Sequence, residues 1–154
     1  MSYDTLKFLH VLGVVLLVGN VTITAFWKVF ADRTGDAQVV AYAQHLVTVC
    51  DWVFTLAGIV LVMGGGYGMA AVNHLHVFEV RWLVLGQILF VVSGMIWMFI
   101  LIPLQIRLGK QARIAGECGK VPPSYWRYGR IWLIWGIIAT VPLVAAIFVM
   151  IAKP

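Results

Sequence analysis

Four continuous apolar runs constrain this chain more than any other feature: residues 5–30, 51–72, 82–104 and 131–152. Each is long enough to cross about 30 Å of hydrocarbon at a helical rise of about 1.5 Å per residue. Glycines and β-branched residues in these runs would weaken a helix in water. In lipid a helix still satisfies every backbone polar group internally, so helix is the assignment. Barrel strands are excluded, because they would alternate apolar and polar residues and these runs do not. The composition points the same way. Hydrophobic residues make up 62% and charged residues 11% of the chain, against about 45–50% and about 25% in a soluble domain. The sequence therefore predicts an all-α, multi-pass membrane protein. It forms one domain over residues 1–154, folded as a four-transmembrane-helix bundle. The first run is read as a retained helix and not a signal peptide, because Asp4 precedes it and no small-residue cleavage site closes it.

Lysine and arginine set the direction of crossing. One side collects Lys28, Arg33, Arg107, Lys110, Arg113, Lys120, Arg127 and Arg130; the other has Lys7, Arg81 and Lys153. The prediction is both termini outside, with the two longer connections in the cytoplasm, as in a bacterial inner membrane. The net charge of +5 reports this asymmetry and no nucleic-acid site. The lipid bilayer is the one partner the composition requires; a membrane protein partner or a second copy of the chain remains open. Of the connections, residues 37–50 read as a short interfacial helix. Residues 105–130 read as a long basic loop broken by Gly116, Gly119 and the Pro122–Pro123 pair. Cys50 and Cys118 have no disulfide or zinc spacing.

Small and polar residues mark the faces that meet inside a bundle. His10, Gly13, Leu17, Asn20 and Thr24 line up on the first helix, and Asp51, Thr55, Gly58, Val62, Gly65 and Met69 on the second. Gln87, Phe90, Gly94, Trp97 and Leu101 do so on the third, and Trp132, Gly136, Ala139, Leu143 and Ala146 on the fourth. Such spacings predict a compact left-handed bundle, with a kink at Pro142. The run Gly64-Gly65-Gly66 with Gly68 serves either close helix contact or a flat ligand against bare backbone. Asp51 reads first as the N-cap of the second helix and second as a proton relay.

Ionisable groups within the membrane are costly and are candidates for function. His10 lies about five residues into the first helix, roughly 7 Å below the outer boundary. The topology brings His74, His76 and Gln87 to that end, with Met69 and Tyr67 nearby. Imidazole is a common ligand of haem iron, zinc and copper. A bis-His haem b would use His10 with His74 or His76, and a His/Met site would use His10 with Met69. The alternative is an interhelical hydrogen bond at His10 and solvated loop histidines at 74 and 76. His45 lies at the opposite end and cannot join this set. The methionines are dispersed and read as packing before they read as a copper path.

The pattern Lys7-x-x-His10-x-x-Gly13 followed by Gly19, with Arg81-Trp82 at the third helix, resembles a family of small predicted bacterial integral membrane proteins of unknown function. It is also similar to the CopD-type copper-resistance proteins and the four-helix HemJ-type protoporphyrinogen oxidases. The resemblance implies haem b bound through His10. In the oxidases a lysine near the start of the third helix is also important; here the nearby cation is Arg81, which does not give up its proton as a ligand. The expectation is a haem b-binding redox or haem-handling subunit, with an oxidoreductase activity left open. Its cofactor site would involve His10, His74, His76, Met69, Gln87 and Arg81. The alternatives are a copper-handling protein of the copper-resistance type and a non-catalytic accessory subunit of a membrane complex.

Overall fold

The computed structural model describes residues 1–153 and is helical apart from short turns. Four rods follow one another: α1 (Tyr3–Thr34), α2 (Ala37–Val72), α3 (Arg81–Cys118) and α4 (Pro123–Ala152). All four are long and apolar enough to cross a membrane, and no strand occurs among the described residues. The chain is an integral, multi-pass membrane protein. Both ends of the described chain lie at one end of the bundle, here the terminal end. The α1–α2 and α3–α4 turns lie at the other, which carries most of the lysines and arginines and is here the basic end.

Local chemistry explains where the rods begin and stop. Ser2 Oγ accepts the Thr5 N–H at 3.3 Å at the head of α1. Gly35, at φ 67°, takes the left-handed position that ends α1. Asp36 then caps α2, its carboxylate accepting the N–H groups of Gln38 and Val39 at 2.8 and 3.1 Å. Gly119, at φ 70°, ends α3. Pro122 is extended, and Pro123 opens α4 where a missing N–H costs nothing.

Two boundaries differ from the sequence expectation. Residues 37–50 are not a separate interfacial helix, and Asp51 is not an N-cap. The α2 rod runs unbroken through a π-helical turn at Asp51–Thr55. The α3 rod passes through a second π-helical turn at Trp97–Leu101 and continues to Cys118, so most of the expected basic loop is helix. Residues 105–115 are rich in Arg, Lys, Gln, Leu and Ala, all good helix formers. Gly116 does not break the rod. Gln38 Nε2 donates to its carbonyl at 2.6 Å, and a Cβ placed there would already meet Ala41 at 3.2 Å.

Packing follows two pairs rather than one compact bundle. α1 lies along the whole of α2. Gly13 faces the Val62 and Gly58 backbone, Gly58 faces Leu17, and Gly65 faces Leu6 and His10. α3 lies along α4, where Ser93 Oγ donates to the Ala139 carbonyl at 2.8 Å and Gly86 receives the Met150 methyl. The pairs join at the basic end through Ala37–Cys50 against Ile102–Cys118. The shared core there includes Val40, Val47, Leu108, Ala112, Tyr125 and Trp132. Towards the terminal end, Leu56–Val72 makes no close backbone approach to α3 or α4 among the described residues. The Tyr67 hydroxyl spans that gap, donating to Gln87 Oε1 at 2.8 Å. Gly58, Gly65, Gly66 and Gly68 of α2 are taken up by α1.

The expected seams of α1 and α4 hold in large part: Gly13, Leu17, Asn20 and Thr24 are buried, as are Trp132, Ala139, Leu143 and Ala146. The seam of α3 is rotated. Gly86, Ser93 and Leu101 are buried, and Gln87, Phe90, Gly94 and Trp97 are only partly covered.

Candidate functional site

The expected ligands at the terminal end do not gather into one set. His10 is half-buried, and its Nδ1–H donates to the Val62 carbonyl of α2 at 2.8 Å. A Cβ at Gly65 would fall 2.7 Å from His10 N, and one at Gly66 would fall 3.2 Å from His10 Nδ1. The glycine run is therefore the surface on which His10 and its helix rest, not an open slot beside α1. His74 sits at φ 52° in the turn after α2, and both His74 and His76 are exposed. Arg81 is exposed at the head of α3, and Met69 is half-buried. Gln87 is already engaged, its Nε2 donating to the carbonyls of Val77 and Leu83 at 2.8 and 3.1 Å. Among the described residues, no group of three or more His, Cys, Asp or Glu is placed to hold a metal ion.

The polar residues that do gather form two buried clusters nearer the basic end. The first surrounds Asp51. Asn20 Nδ2 donates to Asp51 Oδ1 at 2.9 Å and lies 3.1 Å from Thr55 Oγ1, joining α1 to the π-helical turn of α2. Asp51 and Gln105 line the same small cavity, beside Trp52 and Trp97. The two indoles meet edge to face at 6.4 Å, so the two π-helical turns face each other here. Such turns place side chains off the ordinary helical spacing and are frequent at functional sites.

The second cluster lies about 10 Å further towards the basic end, judged by the seven residues from Gln44 to Asp51 at about 1.5 Å each. Lys28 is 2% exposed. Its ammonium donates to Asp32 Oδ2 at 2.9 Å and to the Tyr125 hydroxyl at 2.6 Å. That hydroxyl donates in turn to Asp32 Oδ1 at 3.0 Å, with Gln44 Oε1 3.4 Å away. Lys28 also stands 4.6 Å from the centre of the Tyr125 ring. Charge, hydrogen bonds and aromatic faces together let a lysine sit inside the fold.

On the face where α1 and α4 lie side by side there is a groove of about 830 Å³, within the size range of small-molecule sites. On α1 it runs from Leu17 to Arg33, and on α4 from Trp132 to Val144. Sixteen residues of α1 at about 1.5 Å each give it a length of roughly 24 Å. The walls are apolar; Asp51, Thr55, Thr24 and Ser93 supply the polar floor. Gly94 and Gly136 also line it, and a Cβ built on either meets nothing within 4 Å. Trp132 and Trp97 line it too, and their indole Nε1 atoms are buried without a hydrogen-bond partner. No histidine, cysteine or methionine lines this groove.

Asp51 drew attention in the sequence, but Lys28, Asp32, Tyr125 and the groove did not. One signal for the ion pair was present. Lys28 extends the Leu17, Asn20, Thr24 seam by one more step, and Asp32 follows at i+4. The groove had no local signal, because it arises from how the two pairs meet.

Comparison with known proteins agrees with the membrane assignment. Residues 4–154 match the model of a family described as "Predicted integral membrane protein (DUF2269)". No curated protein and no solved structure matches the chain.

Proposed function

The chain belongs to the DUF2269 family of predicted integral membrane proteins, and on that premise we propose that it binds a bilayer-soluble, amphiphilic molecule between its two helix pairs. The basic end would face the cytoplasm of a bacterial inner membrane, as the positive-inside rule directs. One observation carries this reading: a largely apolar groove of about 830 Å³ in which Asp51, Thr55, Thr24 and Ser93 supply a few polar groups. A mostly apolar lining with a few polar groups is the kind of surface that small amphiphiles occupy. The test is ligand-dependent stability. Delipidated protein should gain thermal stability with at least one class of bilayer amphiphile, by about 2–3 kcal/mol at a hundredfold excess over Kd. Gly94→Leu and Gly136→Trp place side chains into the open groove and should abolish the gain. Equal gains in the wild type and in both variants would rule the reading out.

A second reading rests on a different observation. Ligating histidines commonly donate their other ring nitrogen to a backbone carbonyl. His10 has that arrangement through Val62, with Nε2 left as the ligating atom. This supports His10 as one axial ligand of haem b in a small redox or haem-handling subunit. The residues fit one axial position only: His74 and His76 are exposed, and Gln87 is held by other bonds. A bound haem would supply one-electron chemistry, and the apolar surroundings would tune its potential. Purified protein should then show a Soret band that His10→Ala removes, and a colourless, iron-free preparation would exclude the reading. Copper handling has no comparable support: the methionines are dispersed in the sequence, and among the described residues no group of three or more His, Cys, Asp or Glu is placed to hold a metal ion. An accessory role in a larger complex is compatible with either site.

A further inference from the structure

Resting on the groove reading above, we infer that the occupant is a glycerophospholipid of the cytoplasmic leaflet, with its phosphate at Arg33 and an acyl chain between the helix pairs. Charge places the head group. Arg33 is exposed and lines the basic-end mouth of the groove, and its guanidinium stands 5.5 Å from the centre of the Phe30 ring. A guanidinium beside apolar surface suits a phosphate whose attached chains enter hydrocarbon. No second cationic side chain lines the groove, so the head group is fixed at one end.

Length and lining place the rest. The groove extends roughly 24 Å along α1, longer than the hydrocarbon of one leaflet, about half of 30 Å. Beyond Arg33 its α1 wall is mostly apolar, with Phe30, Val29, Phe26, Ala25, Val21 and Leu17 and the hydroxyls of Thr24 and Thr22 among them. A long-chain quinone could fill the same apolar length, but it has no anionic group for Arg33.

Native mass spectrometry of the full chain, delipidated in detergent and titrated with dioleoyl phosphatidylglycerol or with a long-chain quinone, tests this. Wild type should take one phosphatidylglycerol in a saturable step. Arg33→Gln should weaken it about fivefold, the contribution of one cation near an anionic head group. Gly136→Trp and Gly94→Leu should abolish it. Arg113→Gln, a change at an exposed cation of α3 outside the groove lining, should leave it unchanged. Equal weakening by Arg113→Gln and Arg33→Gln would mean nonspecific charge attraction and overturn the inference. If the quinone binds in a manner abolished by Gly136→Trp while phosphatidylglycerol does not, the groove reading stands and the phospholipid inference falls. If neither probe is sensitive to the groove variants, both fall.

Discussion

Gly65→Ala is expected to destabilise the protein markedly, while Gly64→Ala, one residue away, is expected to be neutral or slightly stabilising. The two changes add the same methyl group to the same helix. At Gly65 the new Cβ would lie 2.7 Å from His10 N and 2.7 Å from the Leu6 carbonyl oxygen. Both are backbone atoms of α1, so no side chain can rotate away. The two helices must separate along their contact. Overpacking of this kind costs about 1–3 kcal/mol and sometimes more. With backbone on the far side the upper end applies, a fall in Tm on the order of 10 °C for a chain of this size. At Gly64 a Cβ meets nothing within 4 Å. There alanine only removes the conformational freedom of glycine, a gain of about 0.5–1 kcal/mol. Thermal unfolding of both variants in the same detergent decides the matter. Equal Tm values would mean that the α1–α2 contact is not where the glycine run places it.

The same contrast shows what the sequence revealed. Gly65 and His10 were legible as interior positions because they continue seams of small and polar residues, and the periodicity of a helix exposes such seams directly. The helix count followed from the apolar runs for an equally local reason. The rotated seam of α3 was not legible. Gln87 is the polar residue that set the expected phase, yet its hydrogen bonds go to Val77 and Leu83 on its own side and to Tyr67 across the gap. The side chain that crosses between α3 and α4 is Ser93, which carries little weight in a hydropathy pattern. The π-helical turns were hidden for a related reason. Asp51 next to an apolar run has the local appearance of a cap, and only Asn20, thirty-one positions earlier, shows that it faces a partner helix. The way the two pairs meet, and with it the groove, depends on contacts between distant residues that no local pattern encodes.

Asp32→Ala is expected to cost more than Lys28→Met, although the two residues form one ion pair. Asp32 is 20% exposed, whereas Lys28 is 2% exposed. Removing the carboxylate leaves an ammonium inside the fold with the Tyr125 hydroxyl and ring as its remaining partners. Breaking a buried pair in this way costs about 3–5 kcal/mol. Removing the lysine leaves a carboxylate that still accepts from Tyr125 and reaches water through its exposed edge. Methionine keeps much of the lysine's apolar volume, so that cost should be about 1–2 kcal/mol, the value of a lost charge-assisted hydrogen bond. The double variant Lys28→Met/Asp32→Ala should recover most of the loss seen with Asp32→Ala, because no charge is left stranded. The pair should also resist salt, since buried charges are screened little. Arg113 and Glu117 provide the control. They lie 3.9 Å apart and are 79% and 67% exposed, so Glu117→Ala should change stability by less than about 1 kcal/mol. A cycle of unfolding midpoints at low and high salt measures all of this. If Lys28→Met proved the more damaging change, the carboxylate of Asp32 and not the ammonium of Lys28 would be the charge left stranded, and the bond from Lys28 to Tyr125 would be the main tie between α1 and α4.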